Sequence, residues 1–329
     1  MSIAAYPVGI IGAGAWGTAL AQVMAQTHGQ CLIWARSPAV ASTINQTHEN
    51  PLYLPGAALS PAIAATGSLA EMAQCDLLLI AVPAQFLRPI LAKLPATSAA
   101  LILCAKGLEA GTRATMAEIA AEICPGNPVA ILSGPTFAHE VAAGKPTAIT
   151  LACADEALGA RLARAIAAPH FRPYWTSDVI GAQIGGAVKN VLAIGCGVVS
   201  GAGLGQNAGA ALIARGFAEM QRFGMAKGAR SETLAGLSGL GDLVLTCSSE
   251  SSRNFSFGRG LGEGKSAHSL LSNRRTVAEG AGTAPVLLAS AQFLGVDMPI
   301  TATVCGLLNG AMNTQQAIQA LLSRPLRAE

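Results

Sequence analysis

Charge is scarce in this sequence. Only 12% of its 329 residues are charged, and 21 basic against 18 acidic side chains leave a formal +3. No basic run forms an arm or tail, so the composition argues against a nucleic-acid partner and confines any anion site to a local cluster. Aromatic residues make up 4%, although 51% of the chain is hydrophobic. Small and aliphatic side chains must therefore fill much of the core, and 37 glycines imply close helix packing. The eight cysteines (Cys31, Cys75, Cys104, Cys124, Cys153, Cys196, Cys247, Cys305) include no CxxC pair and no Cys/His cluster with zinc spacing. They read as reduced, buried thiols of a cytoplasmic protein without a metal. The first apolar stretch lacks a basic segment before it, which argues against a signal peptide. The uncharged run 190–214 is long enough for a bilayer. Its glycines, with Gln206 and Asn207, favour two buried helical pieces joined by a turn over a membrane span.

A chain of this length exceeds what one core usually organises, so two domains are expected. Apolar runs at 8–11 and 31–35 flank a glycine turn and a helical stretch over 16–26, which is a βαβ opening. Further strands are expected at 77–82, 101–104, 129–132 and 147–152, alternating with helices or loops. This pattern predicts an α/β N-terminal domain, a Rossmann-like doubly wound sheet with antiparallel pairing toward its far edge. The segment 173–177 reads as an irregular connector. Beyond it, Ala/Leu/Gly-rich stretches such as 211–225 and 283–294 predict a mostly α-helical C-terminal domain. The expected division is a dinucleotide-binding domain over 1–182 and a helical substrate and catalytic domain over 183–329.

Gly12-Ala13-Gly14-Ala15-Trp16-Gly17 matches GxGxxG between the first strand and the first helix. In that context glycine lets backbone N–H groups approach a pyrophosphate, and the helix presents its positive end to the anion. At the end of the second expected strand, where NAD-specific folds usually carry an acid for the ribose 2′-hydroxyl, this chain has Arg36. A guanidinium suits a 2′-phosphate, which favours NADP(H) and leaves NAD(H) as a second coenzyme; a solvent-facing loop arginine is the plainer reading.

Other segments place chemistry beside apolar runs. Lys106 follows an expected strand at the sheet edge where such folds bind ligands, and Gly134 and Thr136 follow another. A surface lysine and a structural turn remain the simpler readings. In Gly185-Gly186-Ala187-Val188-Lys189-Asn190-Val191-Leu192 one cation sits inside a strongly apolar helical run. Lysines are rarely buried without a task, and a desolvated one can serve as acid and base in ketone reduction; alternatively its head snorkels to water. Asp242, between glycines and an apolar run, either binds a substrate hydroxyl, orients Lys189, or caps a helix. Ser252-Arg253-Asn254 suits a phosphate or polyhydroxyl ligand, or is a polar turn.

Taken in order, GAGAWGTALA, SGPTFAHEVAAGKPTAI, GGAVKNVLAIG, GLGDLVLTC, SSRN and MPI closely resemble the bacterial-type NAD(P)-dependent glycerol-3-phosphate dehydrogenase family, almost from end to end. The resemblance implies cofactor contacts at Ala15, Trp16, Arg36, Lys106, Ala138, Arg253, Val277 and Glu279. It implies substrate contacts at Lys106, Gly134, Thr136, Lys189, Asp242, Ser252, Arg253 and Asn254, with Lys189 as the acid/base. Departures fall at motif edges, such as Ser238, Gly239 and the stretch 248–251, and remove no polar group with an implied role. The implied reaction is hydride exchange between NAD(P)H and a phosphorylated three-carbon ketone, supplying glycerol phosphate for phospholipid synthesis; the oligomeric state is open, a homodimer being compatible. Two other functions share parts of this pattern: a dehydrogenase acting on a hydroxy acid or hydroxyacyl thioester, and a dinucleotide sensor with no use for Lys189 and Asp242.

Overall fold

The protein, represented by a computed structural model, is described over residues 6–272 and 278–322. Ten strands lie among the described residues: β1 (Val8–Ile11), β2 (Cys31–Trp34), β3 (Glu49–Asn50), β4 (Leu54–Ala58), β5 (Ile63–Thr66), β6 (Leu77–Ile80), β7 (Ala100–Leu103), β8 (Val129–Ser133), β9 (Thr147–Ala152) and β10 (Phe171–Thr176). Eight form one sheet in the order β10-β9-β8-β7-β6-β1-β2-β5, and β3 pairs with β4 in a separate hairpin. All neighbours in the large sheet are parallel except β8 and β9, the expected antiparallel pairing toward an edge.

Every residue of β1, β2 and β6 is buried. That is the signature of strands covered on both faces, which explains continuous apolar runs in place of alternation. Ile10, Ile33 and Leu79 belong to the core on one face, while Ile11, Leu32 and Leu78 belong to the other. The order reverses at β1, flanked by β2 and β6, so the glycine turn after β1 lies at the topological switch point where such sheets bind ligands.

One expectation is corrected. Residues 173–177 are not an irregular connector: β10 runs through Pro173 to Thr176 in continuous register with β9. β10 is an edge strand, where a proline's missing N–H need cost no ladder bond. β3, β4 and β5 also went unforeseen, because β4 carries a proline and a glycine and three of its five residues are exposed.

No strand follows Thr176 among the described residues. The run 190–214 resolves into the helices Val179–Gly201 and Gly205–Ala226. Gly203 and Gly205 supply the left-handed turn between them, at φ 69° and 83°. Val179–Gly201 is long and apolar enough to cross a bilayer, but 89% of its most apolar window is buried inside the protein.

Glycine makes that burial possible. A Cβ at Gly197 or Gly201 would overlap the backbone of the helix Arg253–Gly262, and one at Gly258 or Gly262 would overlap carbonyls of Val179–Gly201. The two backbones therefore touch directly. By its contacts the chain divides into two units, one of residues 1–106 and 114–182, the other of 107–113 and 183–329.

Candidate functional site

In the first unit, Gly12 adopts φ 117°, and its N–H donates to the Trp34 carbonyl at 3.1 Å. A Cβ at Gly17 would strike the Gly12 carbonyl, so both glycines are needed to fold the turn onto the helix Ala15–His28. Gly14 differs: a Cβ there would meet nothing within 4 Å. Gly14 is also the N-cap of the helix, without a capping side chain or an acid in the first turn. A helix N-terminus without a capping side chain, beside room at Gly14, fits a pyrophosphate.

Around this turn stand the other sequence-derived candidates. Arg36 is exposed after β2, its guanidinium 5.8 Å from the centre of the half-exposed Phe86 ring. Sequence reasoning missed Phe86, which lies fifty positions away. The Cys104 thiol, directly after β7, lies beside Trp16. Burial pushes that thiol up to about 12, against the opposing influences of Lys106 and Trp16.

Lys106, half-buried, donates from Nζ to the Gly134 carbonyl at 3.2 Å, and Thr136 Oγ1 donates to the same carbonyl at 3.3 Å. A Cβ on Gly134 would lie 3.0–3.1 Å from Ile149, so the close approach of β9 leaves little room for a side chain there. Ala138 opens the short helix Ala138–Ala142 after the same turn. The structure thus brings Lys106, Gly134 and Thr136 together.

The second unit carries a buried charged cluster. Lys189 lies in the helix Val179–Gly201 and is 6% exposed; Asp242, the first residue of the helix Asp242–Cys247, is 0% exposed. Lys189 Nζ donates to Asp242 Oδ1 at 2.5 Å and to Thr246 Oγ1 at 2.9 Å, and Thr246 Oγ1 lies 3.4 Å from Asp242 Oδ1. Of the sequence-level alternatives, the snorkelling lysine and the helix-capping aspartate do not hold: Gly241 is the N-cap, and the carboxylate faces the ammonium. A π-helical turn over Leu237–Gly241 precedes Asp242, and Ser238 packs its carbonyl where a Cβ on Gly185 would sit. That contact seats Asp242 against Lys189.

A second network adjoins the first. Asn254 Nδ2 donates to Asn190 Oδ1 at 3.0 Å, and Asn254 Oδ1 accepts the Gly280 N–H at 2.9 Å. Gly280 follows Glu279, which opens the helix Glu279–Phe293. Ser252 is the N-cap of Arg253–Gly262, its hydroxyl accepting the Phe255 N–H at 3.2 Å, while Arg253 is exposed at the first helical position. Ser252 and Asn254 are buried, so this is no surface turn. Val277 lies outside the described residues.

Sequence reasoning also passed over Thr246 and Asn190. Thr246 is four residues from Asp242 on the same helix face, and that spacing was its only signal.

The chemistry of this set is that of a carbonyl reductase: an anion-ready turn for a dinucleotide and a desolvated ammonium that can exchange a proton. Comparison with known proteins agrees. Residues 7–159 match the model of the NAD-dependent glycerol-3-phosphate dehydrogenase N-terminus, and residues 178–319 match that of its C-terminus. The chain is 60% identical over 98% of its length to glycerol-3-phosphate dehydrogenase (NAD(P)+) 1 of Sphingopyxis alaskensis, covering 97% of that protein. It is 57% identical to the Novosphingobium aromaticivorans enzyme of the same activity, covering 98% of each chain. Among solved structures, glycerol-3-phosphate dehydrogenase from Coxiella burnetii superposes with a TM-score of 0.92 at 36% identity, over 97% of this chain and 99% of that one. With folds, motifs and relatives in agreement over nearly its whole length, the chain belongs to the NAD-dependent glycerol-3-phosphate dehydrogenase family.

Proposed function

We propose that this protein interconverts dihydroxyacetone phosphate and sn-glycerol 3-phosphate, using NADP(H) and also NAD(H), and so supplies glycerol phosphate for phospholipid synthesis. The observation that carries the reading is the buried Lys189–Asp242–Thr246 cluster in a chain that also holds a dinucleotide turn. When bound, the nicotinamide supplies or accepts the hydride at C2 of the substrate. Lys189 donates the proton to the developing alkoxide, or takes it back in the reverse direction. Asp242 and Thr246 hold the ammonium in place.

The division of labour follows the expected domains. The first, over 1–182, holds the dinucleotide: Gly12, Gly14, Ala15, Trp16 and Gly17 at the pyrophosphate, Arg36 at the 2′-phosphate, Lys106 and Ala138 nearer the nicotinamide. The second, over 183–329, supplies Lys189, Asp242, Ser252, Arg253 and Asn254 for the substrate, joined by Lys106, Gly134 and Thr136. Arg253, Val277 and Glu279 add cofactor contacts. An exposed guanidinium at Arg253 suits the substrate phosphate. Eight free thiols support a reducing, cytoplasmic setting.

The test is NADPH oxidation, then NADH oxidation, with dihydroxyacetone phosphate and with unphosphorylated dihydroxyacetone. Oxidation that depends on the phosphate is expected. Equal rates on both ketones would mean that Ser252, Arg253 and Asn254 do not read an anion.

A further inference from the structure

The glycine turn is braced from behind by a side chain that neither the motif nor the family assignment singles out. Asn50, in β3, is 2% exposed. Its Nδ2 donates to the carbonyl of Ala13, the second residue of the turn, at 3.0 Å, and to Thr18 Oγ1 at 2.8 Å. The amide orientation is not arbitrary: a carbonyl only accepts, so the nitrogen must face Ala13. Both protons of the amide are then used. The next carbonyl, Gly14, accepts the Thr18 N–H at 2.9 Å.

Local structure delivers Asn50 to this point. The helix Pro38–Thr47 ends on His48 in the left-handed region, at φ 53°. The chain then folds back at once, Tyr53 N–H donating to the Asn50 carbonyl at 3.2 Å and Leu54 pairing with Asn50. This hairpin has no part in the large sheet.

A peptide carbonyl swung toward a pyrophosphate would oppose it, whereas one tied away leaves the neighbouring N–H groups to the anion. We propose that Asn50 is a positioning residue for the dinucleotide: it anchors the Ala13 carbonyl and so fixes the glycine turn in its anion-binding conformation. This rests on the reading of the turn as the dinucleotide site.

Calorimetric titration of NADP+ into the wild type, Asn50→Ala, Asn50→Asp and Thr18→Val tests it. Asn50→Ala raises the Kd about tenfold, the scale of a lost buried hydrogen bond. Asn50→Asp keeps the shape but turns a carboxylate oxygen toward the carbonyl, and raises it further. Thr18→Val keeps the Ala13 bond and has a smaller effect. In steady state KM for NADPH rises with Kd, while KM for dihydroxyacetone phosphate at saturating NADPH stays within about twofold. Unchanged Kd in both Asn50 variants overturns the proposal. So does loss of the melting transition in Asn50→Asp, which would assign the amide to folding. A wild type that does not bind NADP+ defeats the dinucleotide reading itself.

Discussion

Asp242 is completely buried, and a carboxylate so placed is tolerable only opposite a cation and hydrogen-bond donors. Asp242→Asn leaves the Lys189 ammonium buried without its counter-charge. Breaking such a pair costs about 3–5 kcal/mol, so both the urea midpoint and kcat should fall. Thr246→Val keeps the ion pair and removes one acceptor, so kcat should fall less, and the unfolding free energy from the same urea series by about 1–3 kcal/mol. At the cofactor end, Arg36→Ala should raise KM for NADPH about tenfold or more, the weight of charge-assisted bonds to a 2′-phosphate, and KM for NADH much less. Equal rises would remove Arg36 from coenzyme choice. Lys189 and Asp242 were legible in the sequence because a lone charge in an apolar run needs a partner. Thr246, Asn190 and Phe86 were not: hydroxyls, amides and single aromatics are common everywhere, and only the fold says which one faces a lysine or an arginine.

At the scale of elements, the glycine-rich composition pointed to close helix packing, and the crossing of Val179–Gly201 with Arg253–Gly262 supplies it. Gly258→Ala would push a Cβ into the Ile194 carbonyl and should destabilise the fold by about 1–3 kcal/mol. Gly209→Ala is the control: it lies within the helix Gly205–Ala226, where a Cβ meets nothing within 4 Å. That change should stabilise by about 0.5–1 kcal/mol in the same denaturation series. The β1 turn and the buried strands were legible because GxGxxG and unbroken apolar runs have few other uses. β10 and the β3–β4 hairpin were not. Proline and exposed residues look like connectors until the sheet order shows which strand lies at an edge.

For the molecule as a whole, buried thiols set an alkaline limit. Burial pushes Cys75 and Cys305 up to about 11 and Cys104 up to about 12 from an ordinary 9.0. Raised folded values mean that the contribution is complete below pH 9, where folded and unfolded chains both keep these protons. Above it the unfolded chain releases them first, and stability drains away toward pH 11–12. Denaturation midpoints should therefore decline steadily above about pH 9; a level profile there would contradict the burial. In the function proposed, dinucleotide binding falls to the first domain and proton transfer to the second. Lys189→Met tests it most directly, with kcat on dihydroxyacetone phosphate and the Kd for NADPH measured on the same preparation. A loss of about 10²–10⁴ in kcat is expected, the usual weight of one acid/base group, with NADPH binding retained. Turnover within a few-fold of the wild type would contradict it.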